Sequence, residues 1–152
     1  MDIDKKVIAK SIDHSLLHPT MTEDDFIIGC KTALKWDVAS VCIKPYAVKT
    51  ASQLLKGSDV KVCTVVGFPH GSVSNESKFD ETKIAIKNGA TEIDMVVNIG
   101  KVLSNDWTYV KHEVETINSI CLDNGAILKV IFENDYLPLD SYKIALTEMC
   151  RT

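Results

Sequence analysis

The chain has 152 residues, with 17 Lys and Arg against 21 Asp and Glu for a net charge of −4, and 45% of it is hydrophobic. That much apolar side chain excludes a disordered chain, and 7 Gly and 4 Pro exclude collagen-like and other low-complexity classes. Mild acidity argues against a general nucleic-acid binder, and no segment approaches the ~20 apolar residues of a membrane span. The first residues carry Asp2 and Asp4 where a signal peptide is basic, and the 5 cysteines include no C-x-x-C pair. The expectation is a single domain over 1–152 in a reduced, cytoplasmic setting, with no disulfide framework or zinc ribbon.

In chain order, a short helix near residues 4–10 leads into a weak strand at 11–15. Thr22 stands before Glu23, Asp24 and Asp25, an N-cap followed by acidic residues at the positive end of a helix dipole. Phe26, Cys30, Ala33 and Leu34 then recur at helical spacing, which predicts a helix ending near Asp37. Residues 40–43 (SVCI) form a second strand, and Pro45 suits the first turn of a helix to Leu55. Residues 61–66 (KVCTVV) form the third strand. Ser74 caps a helix to Asn88, and Gly89 supplies its left-handed stop. Residues 92–97 (EIDMVV) are the fourth strand, and a long helix runs from Ser104 or Asn105 to Asp123. Residues 127–132 (ILKVIF) are the fifth strand, and 138–150 reads as a closing helix.

The order is thus β followed by α, five times over, with strand starts 21 to 35 residues apart. That spacing fits one β–loop–α–loop unit, and so a parallel sheet with right-handed crossovers. The last two strands are nearly continuous apolar runs, as parallel strands covered on both faces are. Two α/β architectures satisfy this pattern. One is a doubly wound five-stranded sheet with a ligand at the strand ends, which suits the length. The other is part of a (β/α)8 barrel, which needs ~250 residues when whole.

Asp94 interrupts the fourth strand and Lys129 the fifth. A buried carboxylate must be paired or hydrogen-bonded. In neighbouring parallel strands the two can face one side and pair, either as a structural ion pair or as part of a site.

Five segments carry a specific resemblance. They are Ile12-Asp13-His14-Ser15-Leu16-Leu17, Val41-Cys42-Ile43-Lys44-Pro45, Thr64-Val65-Val66-Gly67-Phe68-Pro69-His70-Gly71, Gly89-Ala90-Thr91-Glu92-Ile93-Asp94-Met95-Val96-Val97 and Leu128-Lys129-Val130-Ile131-Phe132-Glu133. Occurring in this order over nearly the whole chain, they resemble the deoxyribose-phosphate aldolases. The resemblance implies a (β/α)8 TIM barrel, of which the chain covers about the first five units and stops before the sixth strand. It implies reversible cleavage of 2-deoxy-D-ribose 5-phosphate to acetaldehyde and D-glyceraldehyde 3-phosphate, in the cytoplasmic catabolism of deoxyribonucleotides. The reaction proceeds through a lysine Schiff base and needs no metal and no organic cofactor. The implied partner is a small phosphosugar, with no nucleic acid and no membrane, in a chain open to homo-oligomer formation.

The family's Schiff-base lysine lies on the sixth strand, in a Lys-Thr-Ser-Thr-Gly segment that occurs nowhere here. The seventh-strand lysine and the late phosphate-binding loops are absent as well. By resemblance, Asp94 matches the aspartate of the proton relay and Lys129 the lysine beside it, as catalytic positions. Asp13 and Cys42 match positions lining the substrate pocket, and Leu17 and Phe68 help to wall it. A carboxylate in a dry cavity can move protons through water as a carbinolamine forms and breaks, and an ammonium beside it holds it ionised. The chain alone is therefore expected to be inactive. The alternative is a stand-alone, non-catalytic α/β binding or interaction module.

The remaining polar residues have simpler readings. His14 and His18 stand four apart, but Pro19 follows at once, which speaks against a zinc pair. Gly67 and Gly71 lack dinucleotide-fingerprint spacing. His70 belongs to a loop that shapes the barrel mouth, and Lys44 reads as a surface lysine. Cys42 and Cys63 also read as packed core thiols, and Trp36, Trp107 and Tyr109 as packing groups. Glu133 reads as a supporting residue of the pocket.

Overall fold

The computed structural model of the chain describes residues 4–151. Five strands, β1 (Asp13–Leu16), β2 (Ser40–Ile43), β3 (Lys61–Val66), β4 (Glu92–Val96) and β5 (Ile127–Ile131), form one sheet. The helices are α1 (Lys5–Ala9), α2 (Glu23–Trp36), α3 (Val48–Leu54), α4 (Asn75–Lys87), α5 (Ile99–Leu103), α6 (Trp107–Asp123) and α7 (Asp140–Met149). All neighbouring strands are parallel and the order is β1-β2-β3-β4-β5. That simple succession belongs to a barrel wall and rules out the doubly wound sheet, whose strand order reverses at a switch point.

The sheet is curled. Lys129 on β5 donates to Asp13 on β1 at 2.9 Å although these are the two outermost strands. Alternation along each strand then defines two faces. Val41, Ile43, Val62, Val66, Ile93 and Met95 point outward into the main apolar core, where α2, α3, α4 and α6 cover them. Asp13, Cys42, Cys63, Asp94 and Lys129 point inward.

Local chemistry sets the helix starts. Thr22 and Asp25 form a reciprocal capping box at α2, with the Thr22 N–H donating to Asp25 Oδ2 at 2.8 Å. Ser74 caps α4 and Asp106 caps α6. Three boundaries differ from expectation. β1 begins two residues later than expected, because residues 11 and 12 close the turn after α1 by bonding back to Ile8 and Ala9. Residues 45–47 form a 3-10 turn before α3 rather than its first α-helical turn. The expected loop after β4 contains α5, capped by Asn98, and α6 starts only after Asn105 adopts a left-handed backbone.

Candidate active site

The inward face carries one charged cluster. Lys129 Nζ lies 2.9 Å from Asp13 Oδ2, 3.1 Å from Glu92 Oε2 and 3.1 Å from Asp94 Oδ1. Asp94 and Lys129 are direct register partners on β4 and β5, which is why the two interruptions of apolar strands meet. Asp13 reaches the same ammonium across the curl of the sheet, and the Ser40 hydroxyl donates to its other oxygen at 2.7 Å. The Cys42 thiol donates to Asp94 Oδ2 at 3.8 Å. Cys63, fully buried, completes the group: one ligating atom each from Asp13, Cys42, Cys63 and Asp94 lies within 4.8 Å of all the others.

Burial and charge oppose each other here. Burial pushes the Asp94 carboxyl above its usual range, and the Lys129 ammonium holds it back. Burial would also push Lys129 down, but its hydrogen bond to Asp13 and the surrounding negative charge outweigh that and hold it well above an ordinary lysine. Lys129 is therefore a locked cation and a poor nucleophile. Cys63 is pushed strongly up by its hydrogen bond with Cys42, by burial and by the charge on Asp94.

The walls of the site are held by a second, wholly buried ion pair. Lys78 on α4 meets Glu113 on α6 at 2.6 Å, and neither side chain is exposed at all. Lys78 Nζ also donates to the Val96 carbonyl at 2.7 Å, and Glu113 accepts the Asn98 N–H at 3.0 Å. Both backbone groups lie at the carboxyl end of β4, so this pair anchors the strand that carries Asp94. The neighbouring loop is fixed by two glycines. Gly67 donates to Glu81 at 2.8 Å, and Gly71 backs onto the Val97 carbonyl at φ +64.

The structure brings Asp13, Cys42, Asp94 and Lys129 together, with Leu17 packed against Cys42, Cys63 and Val65. Phe68 stands apart, 45% exposed on the loop after β3. Cys42 and Cys63 are packed, buried thiols as expected, and their small cluster with Val65 lies beside the charged group. Lys44 ties down the loop before α2 by donating to the Pro19 carbonyl at 3.0 Å. Trp36 corrects an expectation: read as a packing group, it is 58% exposed. Sequence reasoning missed Glu92 as a partner of Lys129, and it missed Lys78 and Glu113 altogether. Asn75, Lys78, Thr82 and Ala85 recur at helical spacing and form the buried face of α4, but three of the four are polar, so no apolar stripe marked that face in the sequence.

The sequence profile of the DeoC/LacD family aldolases matches residues 7–137. A deoxyribose-phosphate aldolase of Rhodopirellula baltica is 46% identical over 94% of this chain and 59% of its own length. One from Clostridium kluyveri is 47% identical over 98% of this chain and 67% of its own. The tetrameric deoxyribose phosphate aldolase of Aeropyrum pernix superposes with a TM-score of 0.87 at 31% identity, covering 97% of this chain and 61% of that one. The chain thus spans about three fifths of the Rhodopirellula and Aeropyrum proteins.

Proposed function

The chain belongs to the DeoC/LacD family of aldolases, and on that premise we propose that it supplies five β/α units of an enzyme that reversibly cleaves 2-deoxy-D-ribose 5-phosphate to acetaldehyde and D-glyceraldehyde 3-phosphate. In this reading residues 1–152 are one partial barrel domain whose sixth strand, with the Schiff-base lysine, lies outside them. The enzyme works in cytoplasmic deoxyribonucleotide catabolism, as a homo-oligomer like its tetrameric relative.

The observation that carries this reading is the inward-facing Asp94, held by a lysine that three carboxylates keep protonated. Burial raises the Asp94 carboxyl above its usual value, which favours its taking a proton as well as giving one. Through water it serves the oxygen of the carbinolamine and the carbon of the acetaldehyde enamine. Lys129 does not form the imine. Its positive charge opposes the rise that burial imposes on Asp94 and disfavours protonation of a second amine nearby. Asp13 and Cys42 line the pocket and Leu17 walls it from within, while Phe68 reaches it only from the exposed loop after β3.

The test is a coupled assay for released aldehyde, beside borohydride trapping with acetaldehyde and peptide mapping. The 152-residue chain is expected to show neither turnover nor a trapped adduct. Joined to barrel units six to eight of the Rhodopirellula relative, it is expected to show both, and Asp94→Asn in that protein should lose about 100-fold or more in turnover. Turnover of the chain alone with an adduct at Lys129 would overturn the role given to that lysine. A joined protein that folds but neither traps acetaldehyde nor turns over would favour a non-catalytic binding module.

A further inference from the structure

We propose that the inward face of the sheet is a binding site for a thiophilic divalent cation, zinc in the first instance, held by Cys42, Cys63, Asp94 and Asp13. Zinc bound by two thiolates and two carboxylates places its ligand atoms about 3.3–3.8 Å apart at its usual bond lengths. The four atoms here already lie within 4.8 Å of one another, and the Cys42 sulfur and Asp94 Oδ2 are 3.8 Å apart. Small rotations about the cysteine side-chain bonds close the remainder. Four neighbouring strands supply one ligand each, so the sheet itself sets the geometry.

The charges balance without reorganising the site. With the thiols protonated and the carboxylates ionised, Asp13, Glu92, Asp94 and Lys129 carry two net negative charges between them. Binding one Zn2+ forms two sulfur–metal and two oxygen–metal bonds and releases the Cys42 and Cys63 thiol protons to solvent. The cluster's net charge is the same before and after, so no extra charge is buried. Asp94 has a free role for each oxygen. Oδ2 exchanges the Cys42 thiol proton for the metal, while Oδ1 is buried, receives no hydrogen bond of good geometry and keeps Lys129 at 3.1 Å. Glu92 retains the same ammonium, which then acts as the outer neutralising group that metal carboxylates commonly have.

Such a metal has no part in the Schiff-base route proposed above. It occupies Asp94 and Cys42 and so opposes the proton relay, a consequence that alone rests on the proposed function. Binding itself does not, and its test uses no activity measurement.

The experiment adds Co2+ to the reduced 152-residue chain without oxygen, then displaces it with Zn2+. One equivalent is expected to give the intense visible bands of tetrahedral cobalt and a near-ultraviolet sulfur-to-cobalt band, with two protons released per ion in weak buffer. Cys42→Ser and Cys63→Ser should each cut the sulfur band to about half or abolish binding, because one thiolate replaces two. Cys150→Ser, which changes the exposed thiol, should leave it intact. Asp13→Asn retains both thiols and is the check should a cysteine variant misfold; it should keep the sulfur band but weaken affinity at least about tenfold. Octahedral cobalt without a sulfur band would overturn the proposal. So would a sulfur band that survives loss of both Cys42 and Cys63, or one abolished by Cys150→Ser.

Discussion

Lys78→Met tests whether the buried pair between α4 and α6 holds β4 in place. The substitution keeps the bulk of the side chain and removes its charge. Glu113 is then left as a carboxylate with no exposure and no cation, accepting only the Asn98 N–H, and the Val96 carbonyl loses its donor. Breaking one side of a buried pair costs about 3–5 kcal/mol, whereas replacing both charges with apolar groups is often near neutral. Lys78→Met/Glu113→Leu orphans two backbone groups, at about 1–3 kcal/mol each. The double variant should therefore cost about as much as either single one, far less than their sum. Urea unfolding at neutral pH with a double-mutant cycle reads this directly. Additive single effects, or a Lys78→Met cost below about 1 kcal/mol, would show that the pair neither couples α4 to α6 nor anchors β4. Glu113→Gln adds a check on sign. Burial already lowers the Lys78 pKa, with Glu113 opposing it, so losing the carboxylate lowers it further. The unfolded chain then holds more protons than the folded one over a wider range below 10.5, and the variant should gain stability relative to wild type as pH rises through it.

Asp94 gives the second pH signature. Its folded pKa is raised above 3.8 by burial, so the native state binds the extra proton, and this group's contribution to stability falls as pH rises from the unfolded value through the folded one. Wild type should lose stability relative to Asp94→Asn across that window, measured by urea midpoints at several pH values. Gly71→Ala should cost more than 1 kcal/mol, the usual penalty for alanine at positive φ, because its Cβ would also collide with the Val97 carbonyl at the barrel mouth. Thermal unfolding checks it, and a shift within error would mean the loop after β3 does not rest on β4.

Strand positions were legible in the chain because each buried strand is a short run of Val, Ile and Cys whose period and β-branched content are local properties. β2 and β3 fall where the runs SVCI and KVCTVV stand. Helix starts were legible for the same reason at Thr22 and Ser74, whose side chains bond three residues ahead. α5 was not, since five residues show too little periodicity to stand out and its start depends on Asn98, itself held by Glu113 on another helix. Asp94 and Lys129 announced a partner because each breaks an apolar run. Their mutual pairing was legible from the parallel strand order, and register sets them side by side; that Asp13 reaches the same ammonium was decided only by the curl of the sheet, which carries it from the far edge. Lys78 and Glu113 were hidden among ordinary helix residues for a related reason. A charge on a helix reads as solvated until packing buries it, and only the packing of α4 against α6 brings these two within 2.6 Å.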